Sequence, residues 1–287
     1  MLIHNELGLC VEDVQICGHA HTITLRSYRP AVKGAMTVPV VLYFHGGAFT
    51  SGSLADGDAI ASMIARSTPA WVVSVGYSLA PQYPFPNATE DGYRALCWAV
   101  SQAHAQRADP RRVGLAGHDA GGNIATCVAA IARDRSEIEI GAQALITPLL
   151  DPSMTRLADE AAMQLPFDVA ACAQNYAHYL PRAANRVHPY AAPVESRRLW
   201  GLPAARICTL ESDRLRVEAE RYAGALIAAG VPTEVTRYRG VSRAQIVRDD
   251  AMLSDLVMFL RKRLRIGLAS SGHGATHTPA VSLPEQT

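Results

Sequence analysis

Long apolar runs are missing from this chain: no stretch approaches the ~20 residues that a bilayer-spanning helix needs. The opening MLIHNELGLC has no basic segment leading into an apolar one, so no secretory signal is visible. Paired cysteines are missing too. The six (Cys10, Cys17, Cys97, Cys127, Cys172, Cys208) fall without C-x-x-C spacing, which argues against a zinc site and fits reduced thiols in the cytoplasm. Charge of one sign is lacking as well: 27 basic against 26 acidic residues leave +1, so neither nucleic acid nor an anionic membrane surface is implied as partner. What is present is apolar. With 49% hydrophobic and 18% charged residues over 287 positions, the chain can bury a sizeable core, and global disorder is excluded.

Alternating stretches at Val11–Ile16 and Thr22–Tyr28 predict two antiparallel strands. Continuous apolar runs at Val40–Phe44 and Trp71–Val75 predict strands covered on both faces, with a helix around Asp58–Arg66 between them. A long helix is expected over Thr89–Gln106, with Thr89 as its N-cap and Glu90 and Asp91 in its first turn. The alternation continues with strands Val113–Ala116, Ala142–Ile146, Arg206–Leu210 and Glu234–Tyr238. Helices are expected at Asn123–Arg133, Val217–Ala229 and Ala251–Arg265, the last closing on basic Arg261, Lys262, Arg263 and Arg265. This rhythm predicts an α/β fold with a mostly parallel sheet between helices. Asp151–Leu202 interrupts it as an expected helical cap inserted in a domain spanning residues 1–266. Gly267–Thr287, with His273 and His277, reads as a flexible tail, and no spacing suggests a metal or a cofactor.

Three stretches carry chemistry, each expected at the end of a strand. His45-Gly46-Gly47-Ala48-Phe49 offers backbone N–H groups to a developing oxyanion. Gly117-His118-Asp119-Ala120-Gly121-Gly122 has the spacing of a nucleophile elbow. Asp213-Arg214-Leu215-Arg216 lies where a triad acid belongs. Together they resemble the hormone-sensitive-lipase-like esterases of the α/β-hydrolase fold, as do Tyr77-Ser78-Leu79-Ala80-Pro81, Phe85-Pro86, Trp98, Gly201-Leu202-Pro203 and Gly230-Val231-Pro232. That resemblance covers about Val11 to Leu264. It implies an eight-stranded, mostly parallel sheet, hydrolysis of short acyl esters, an oxyanion hole from Gly46, Gly47 and the Ala120 N–H, and Asp213 as triad acid. His45 and His118 are expected as hydrogen-bonding supports, and Cys97, Cys127, Trp71 and Trp98 as core residues.

The departures are specific. The family's elbow reads Gly-Asp-Ser-Ala-Gly-Gly, and here Asp119 stands at the serine and His118 before it. The family's histidine motif aligns with Gly240-Val241-Ser242-Arg243-Ala244-Gln245, which places Arg243 at the catalytic base. An arginine, with a pKa above ~12, cannot take a proton at neutral pH. An Asp nucleophile, as in dehalogenases and epoxide hydrolases, would form an ester that no base helps water to release. Asp119, Arg243 and Asp213 are therefore expected as an ion triad. Two functional readings follow. One is a protein without Ser-His-Asp hydrolysis that keeps a pocket for a small acyl or carbonyl ligand. The other is an active enzyme on the same site, either an ester hydrolase of unusual mechanism or a lyase or cyclase using the oxyanion hole. Only ten residues precede Val11, so the family's N-terminal cap is expected to be absent. The cleft would then lie open, or a second copy of the chain would cover its rim.

Overall fold

The computed structural model describes residues 3–4, 8–31, 37–158 and 168–264. The expected tail at 267–287, with His273 and His277, and the end of the last expected helix at Arg265 lie outside the described residues. Among the described residues nine strands form one sheet: β1 (Ile3–His4), β2 (Leu9–Cys17), β3 (Thr22–Pro30), β4 (Val38–Phe44), β5 (Trp71–Gly76), β6 (Ala108–His118), β7 (Ala142–Ile146), β8 (Ala204–Leu210) and β9 (Thr233–Tyr238). Their order is β1-β2-β3-β5-β4-β6-β7-β8-β9, antiparallel as far as β5 and parallel from β5 to β9. The eight expected strands are all there, and the two-residue β1 adds an edge.

Burial explains the layers. All seven residues of β4 are buried, and the period of two sends them to opposite faces. Val40, Leu42 and Phe44 join the core under α2 (Asn87–Gln102), α3 (Ala120–Arg135) and α5 (Arg216–Ala228). Val41 and Tyr43 join the core under α1 (Leu54–Ser67) and α6 (Asp250–Arg263). Helices therefore cover both faces. Between β7 and β8, α4 (Val169–Tyr179) is capped by Asp168, whose side chain accepts from the Ala171 N–H at 2.8 Å. It packs Tyr179 flat on Phe49, ring centroids 4.0 Å apart.

Three boundaries differ from expectation for physical reasons. Helix α2 starts at Asn87, so Thr89 is not its N-cap; the Thr89 hydroxyl lies inside the first turn and donates to the Pro86 carbonyl at 2.9 Å. The same helix stops at Gln102, where a turn closed by Gln106 N–H on the Gln102 carbonyl leads to Arg107 at φ 55°. Strand β6 starts at Ala108 because residues 108–109 pair with Val38 and Pro39 before the register shifts at Pro39/Val40. Pro39 has no N–H to continue the ladder.

The seating of α3 positions the site. A Cβ on Gly121 would overlap the Phe44 and His45 carbonyls, and one on Gly117 would overlap Gly121. Glycine at these positions lets the start of α3 rest directly on the carboxyl end of β4. Among the described residues no helix is long and apolar enough to cross a membrane.

Candidate active site

Asp119 is the single residue between β6 and α3, with φ 56° and ψ −120°. A non-glycine residue there is strained by about 1–3 kcal/mol. Four backbone bonds hold the turn: the Asp119 N–H donates to Ile146 O at 2.9 Å, while its carbonyl accepts from Gly122 N at 3.1 Å, Leu149 N at 3.2 Å and Asn123 N at 3.4 Å. The sharp strand-to-helix turn thus points the side chain out beyond the ends of the strands.

Opposite it, the loop after β4 carries three consecutive positive φ values, at Gly47 (128°), Ala48 (48°) and Phe49 (68°). Thr50 and Ser51 N–H close this turn on the Gly47 carbonyl at 3.1 and 2.9 Å. The curl aims two N–H groups at one point, and that point is occupied by Asp119 itself. Its Oδ2 accepts from Gly47 N at 3.1 Å and Ala48 N at 2.8 Å. The loop donors that meet there are Gly47 and Ala48. Gly46 instead lets the loop close on its neighbours, since a Cβ on it would press on the His118 ring and the Asp119 Cβ. Sequence reasoning missed Ala48, the next residue of the motif.

Arg243, on the loop after β9, bridges the two acids. Nη2 donates to Asp119 Oδ1 and to the Thr147 carbonyl at 3.1 Å, and Nη1 donates to Asp213 Oδ2. Asp213 is fixed by the turn after β8, where its Oδ1 accepts from Leu215 N at 2.9 Å. The Asp213 side chain is 2% exposed, that of Asp119 14% and that of Arg243 25%, so water screens this group only partly. Burial pushes the Asp119 carboxyl up, but the Arg243 charge and the backbone donors overcome it and hold the group below the usual carboxylate range. Burial works against the Arg243 charge as well, and the two carboxylates raise its pKa above the ordinary value.

Burial disfavours the charged form of His45 and His118 alike. It lowers His118 to about 4, with Asp119 acting to raise it and Arg243 to lower it. Its Nε2 is buried with no partner among the described residues, which corrects the expectation of a hydrogen-bonded support. His45 is lowered by burial too. Its ring stacks on Tyr77 at 4.3 Å, and the Tyr77 hydroxyl donates to the His45 carbonyl at 2.9 Å, a structural placement.

Other candidates are spoken for. The Ser242 hydroxyl bonds Gln245 at 2.8 Å in a local turn. Cys127 is buried against Asn123 and its thiol pKa is raised by burial; Cys172, near Asp119, is raised to about 12 by burial. One acid escaped sequence reasoning. Glu218 is fully buried, takes Leu150 N–H at 2.7 Å on Oε1, and is pushed well above its usual range by burial. Its signal was its place at i+3 from Leu215, on the apolar stripe with Ala219 and Tyr222. Among the described residues no three His, Cys, Asp or Glu side chains form a metal-holding group.

Chemically, the arrangement presents a carboxylate with both oxygens occupied, a cation that cannot act as a base, and backbone donors already in use. Comparison with known proteins places this geometry in context. A family model described as alpha/beta hydrolase fold matches residues 41–245. The chain is 39% identical over 238 residues to esterase LipI of Mycobacterium tuberculosis, covering 81% of this chain and 73% of that protein. An arylesterase of Saccharolobus solfataricus is 31% identical over 261 residues, covering 85% and 83%. The solved structure of EstE1, a thermostable carboxylesterase cloned from a metagenomic library, superposes with a TM-score of 0.79 at 33% identity, covering 89% of this chain and 88% of that one.

Proposed function

The chain belongs to the hormone-sensitive-lipase-like esterase family of the α/β-hydrolase fold, and from that premise we propose that it is a divergent member without Ser-His-Asp ester hydrolysis. One observation carries the reading: Arg243 locks Asp119 and Asp213 into an ion triad while Asp119 Oδ2 fills the Gly47 and Ala48 donors. Hydrolysis needs a hydroxyl nucleophile, a base to take its proton and vacant donors for the oxyanion. None of the three is at hand. Loss of a nucleophile or base alone costs on the order of 10⁴–10⁶ in turnover.

A small acyl or carbonyl compound remains the ligand class that the backbone donors suit. To reach them it must displace the Asp119 carboxylate, and an uncharged carbonyl is the weaker acceptor. Weak binding without turnover is the expected result. The strained elbow favours a second reading, in which Asp119 swings out and the protein is an enzyme of unusual mechanism, hydrolytic or of the lyase or cyclase type.

Hydrolysis of p-nitrophenyl butyrate tests the proposal. The unmodified protein, Asp119→Ser and Arg243→His should all stay near background, since each lacks a hydroxyl nucleophile or a base, and Arg243→His permits at best slow turnover of an ester on Asp119. The double change should exceed either single by roughly 10²-fold or more, because triad members act as a unit. Steady turnover by the unmodified protein at ordinary esterase rates, abolished by Asp119→Ala, would overturn the proposal in favour of the second reading.

A further inference from the structure

A cleft of about 450 Å³ opens on the surface where the end of β2 meets α2, and it shares no residue with the ion triad. Its walls are aromatic. Trp98, expected in the core, is only half-buried, with one face tilted against Trp71 at 5.9 Å between ring centroids. Tyr93 is buried and carries the Arg135 guanidinium 4.2 Å above its ring. Ile16 and the exposed Cys17 supply an apolar rim.

The charge in this cleft is unbalanced. Arg135 is paired with Glu90 at 2.7 Å, which removes one charge of each sign. Arg94, exposed on α2 one residue beyond Tyr93, has no hydrogen bond or ion pair among the described residues. The cleft therefore holds one free guanidinium beside a half-buried indole.

We infer that this cleft is a binding site for a small planar aromatic monocarboxylate, its ring along Trp98 and its carboxylate on Arg94. The volume lies within the range of small-molecule sites. A guanidinium presents a fork that fits both oxygens of a carboxylate, and an aromatic ring gains by stacking on indole. Neither half suffices alone, because the Arg94 charge is hydrated and the cleft is open to water. Affinity is therefore expected near the millimolar range, roughly.

Cys17 reports occupancy directly. Alkylation by iodoacetamide, followed by peptide mass spectrometry, should be slowed at Cys17 by benzoate, by about threefold at twice its Kd. Half-buried Cys10, outside the cleft, should react at an unchanged rate and serves as the internal control. Benzyl alcohol, with the ring and no charge, and acetate, with the charge and no ring, should protect far less at equal concentration. Arg94→Ala should abolish the benzoate effect, and Arg94→Lys should keep part of it. Absence of protection by benzoate, equal protection by benzyl alcohol or acetate, or full protection in Arg94→Ala would each overturn the inference.

Discussion

Of the arginines that each bridge two carboxylates, Arg206 and Arg243 differ most in what lies around them. Arg206, on β8, donates to Glu234 at 3.3 Å and Asp255 at 2.5 Å, with Thr236 and Tyr238 completing its partners. Its cation is buried at 8% exposure while its acids are about a third exposed. Arg243 is the reverse: the cation is the most exposed member and its acids are the less exposed ones. Arg206 stands on a regular strand that the ladder would form in any case. Arg243 instead ties down a residue held at φ 56°. The same three charges act as a clamp between sheet and helix in one place and as a plug in a reaction site in the other. An ion triad alone therefore says little about function; the backbone beneath it says more.

Removing each cation should break the symmetry most strongly. Arg243→Met leaves Asp213 and Asp119 facing one another with little water, and should cost about 3–5 kcal/mol. Arg206→Met leaves acids that reach solvent, and should cost less, about 1–2 kcal/mol. Urea unfolding at neutral pH measures both, and equal losses would erase the distinction. A slightly smaller effect separates the two regions by pH. His118 titrates near 4 in the folded chain against about 6.5 unfolded, so the unfolded state binds more protons between those values. Its share of stability is complete above pH ~6.5 and lost as pH falls towards 4, a difference of at most about 3 kcal/mol. His118→Gln should flatten that part of the pH dependence, while Arg206→Met should leave its slope as it was. The smallest effect sharpens the notion of a plug. Asp119→Gly keeps the turn, since glycine accepts a positive φ, and vacates the donors. Acetate should then stabilise the variant by about 1 kcal/mol at five times its Kd and leave the parent unaffected, as read from thermal unfolding.

The parallel core was legible because burial on both faces writes continuous apolar runs; β7 carries the bounds that its sequence suggests. Helix ends were less so, because Thr89 has cap chemistry but uses it from inside the first turn. Arg243 and Asp119 stand 124 residues apart, and only their places within motifs suggested that they meet. The direction of the Asp119 side chain had no sequence signal. Whether Oδ2 points to solvent or to Gly47 and Ala48 depends on the curl of a loop 71 residues away. The cleft beside Trp98 was hidden for a similar reason: an indole in an amphipathic helix reads as core until the neighbouring strand ends short of covering it.

The glycine-permitted seating of α3 against β4 has an electrical consequence. The aligned peptide dipoles of a helix place roughly half a unit of positive charge at its amino end, and Asp119 occupies the capping position of this sixteen-residue helix. A negative group is therefore favoured at that spot whichever side chain supplies it. On a serine scaffold the field is called upon only for the moment in which an oxyanion exists. With aspartate in place the same field acts continuously on a resident charge, so exchanging the hydroxyl for a carboxylate runs electrostatically downhill here.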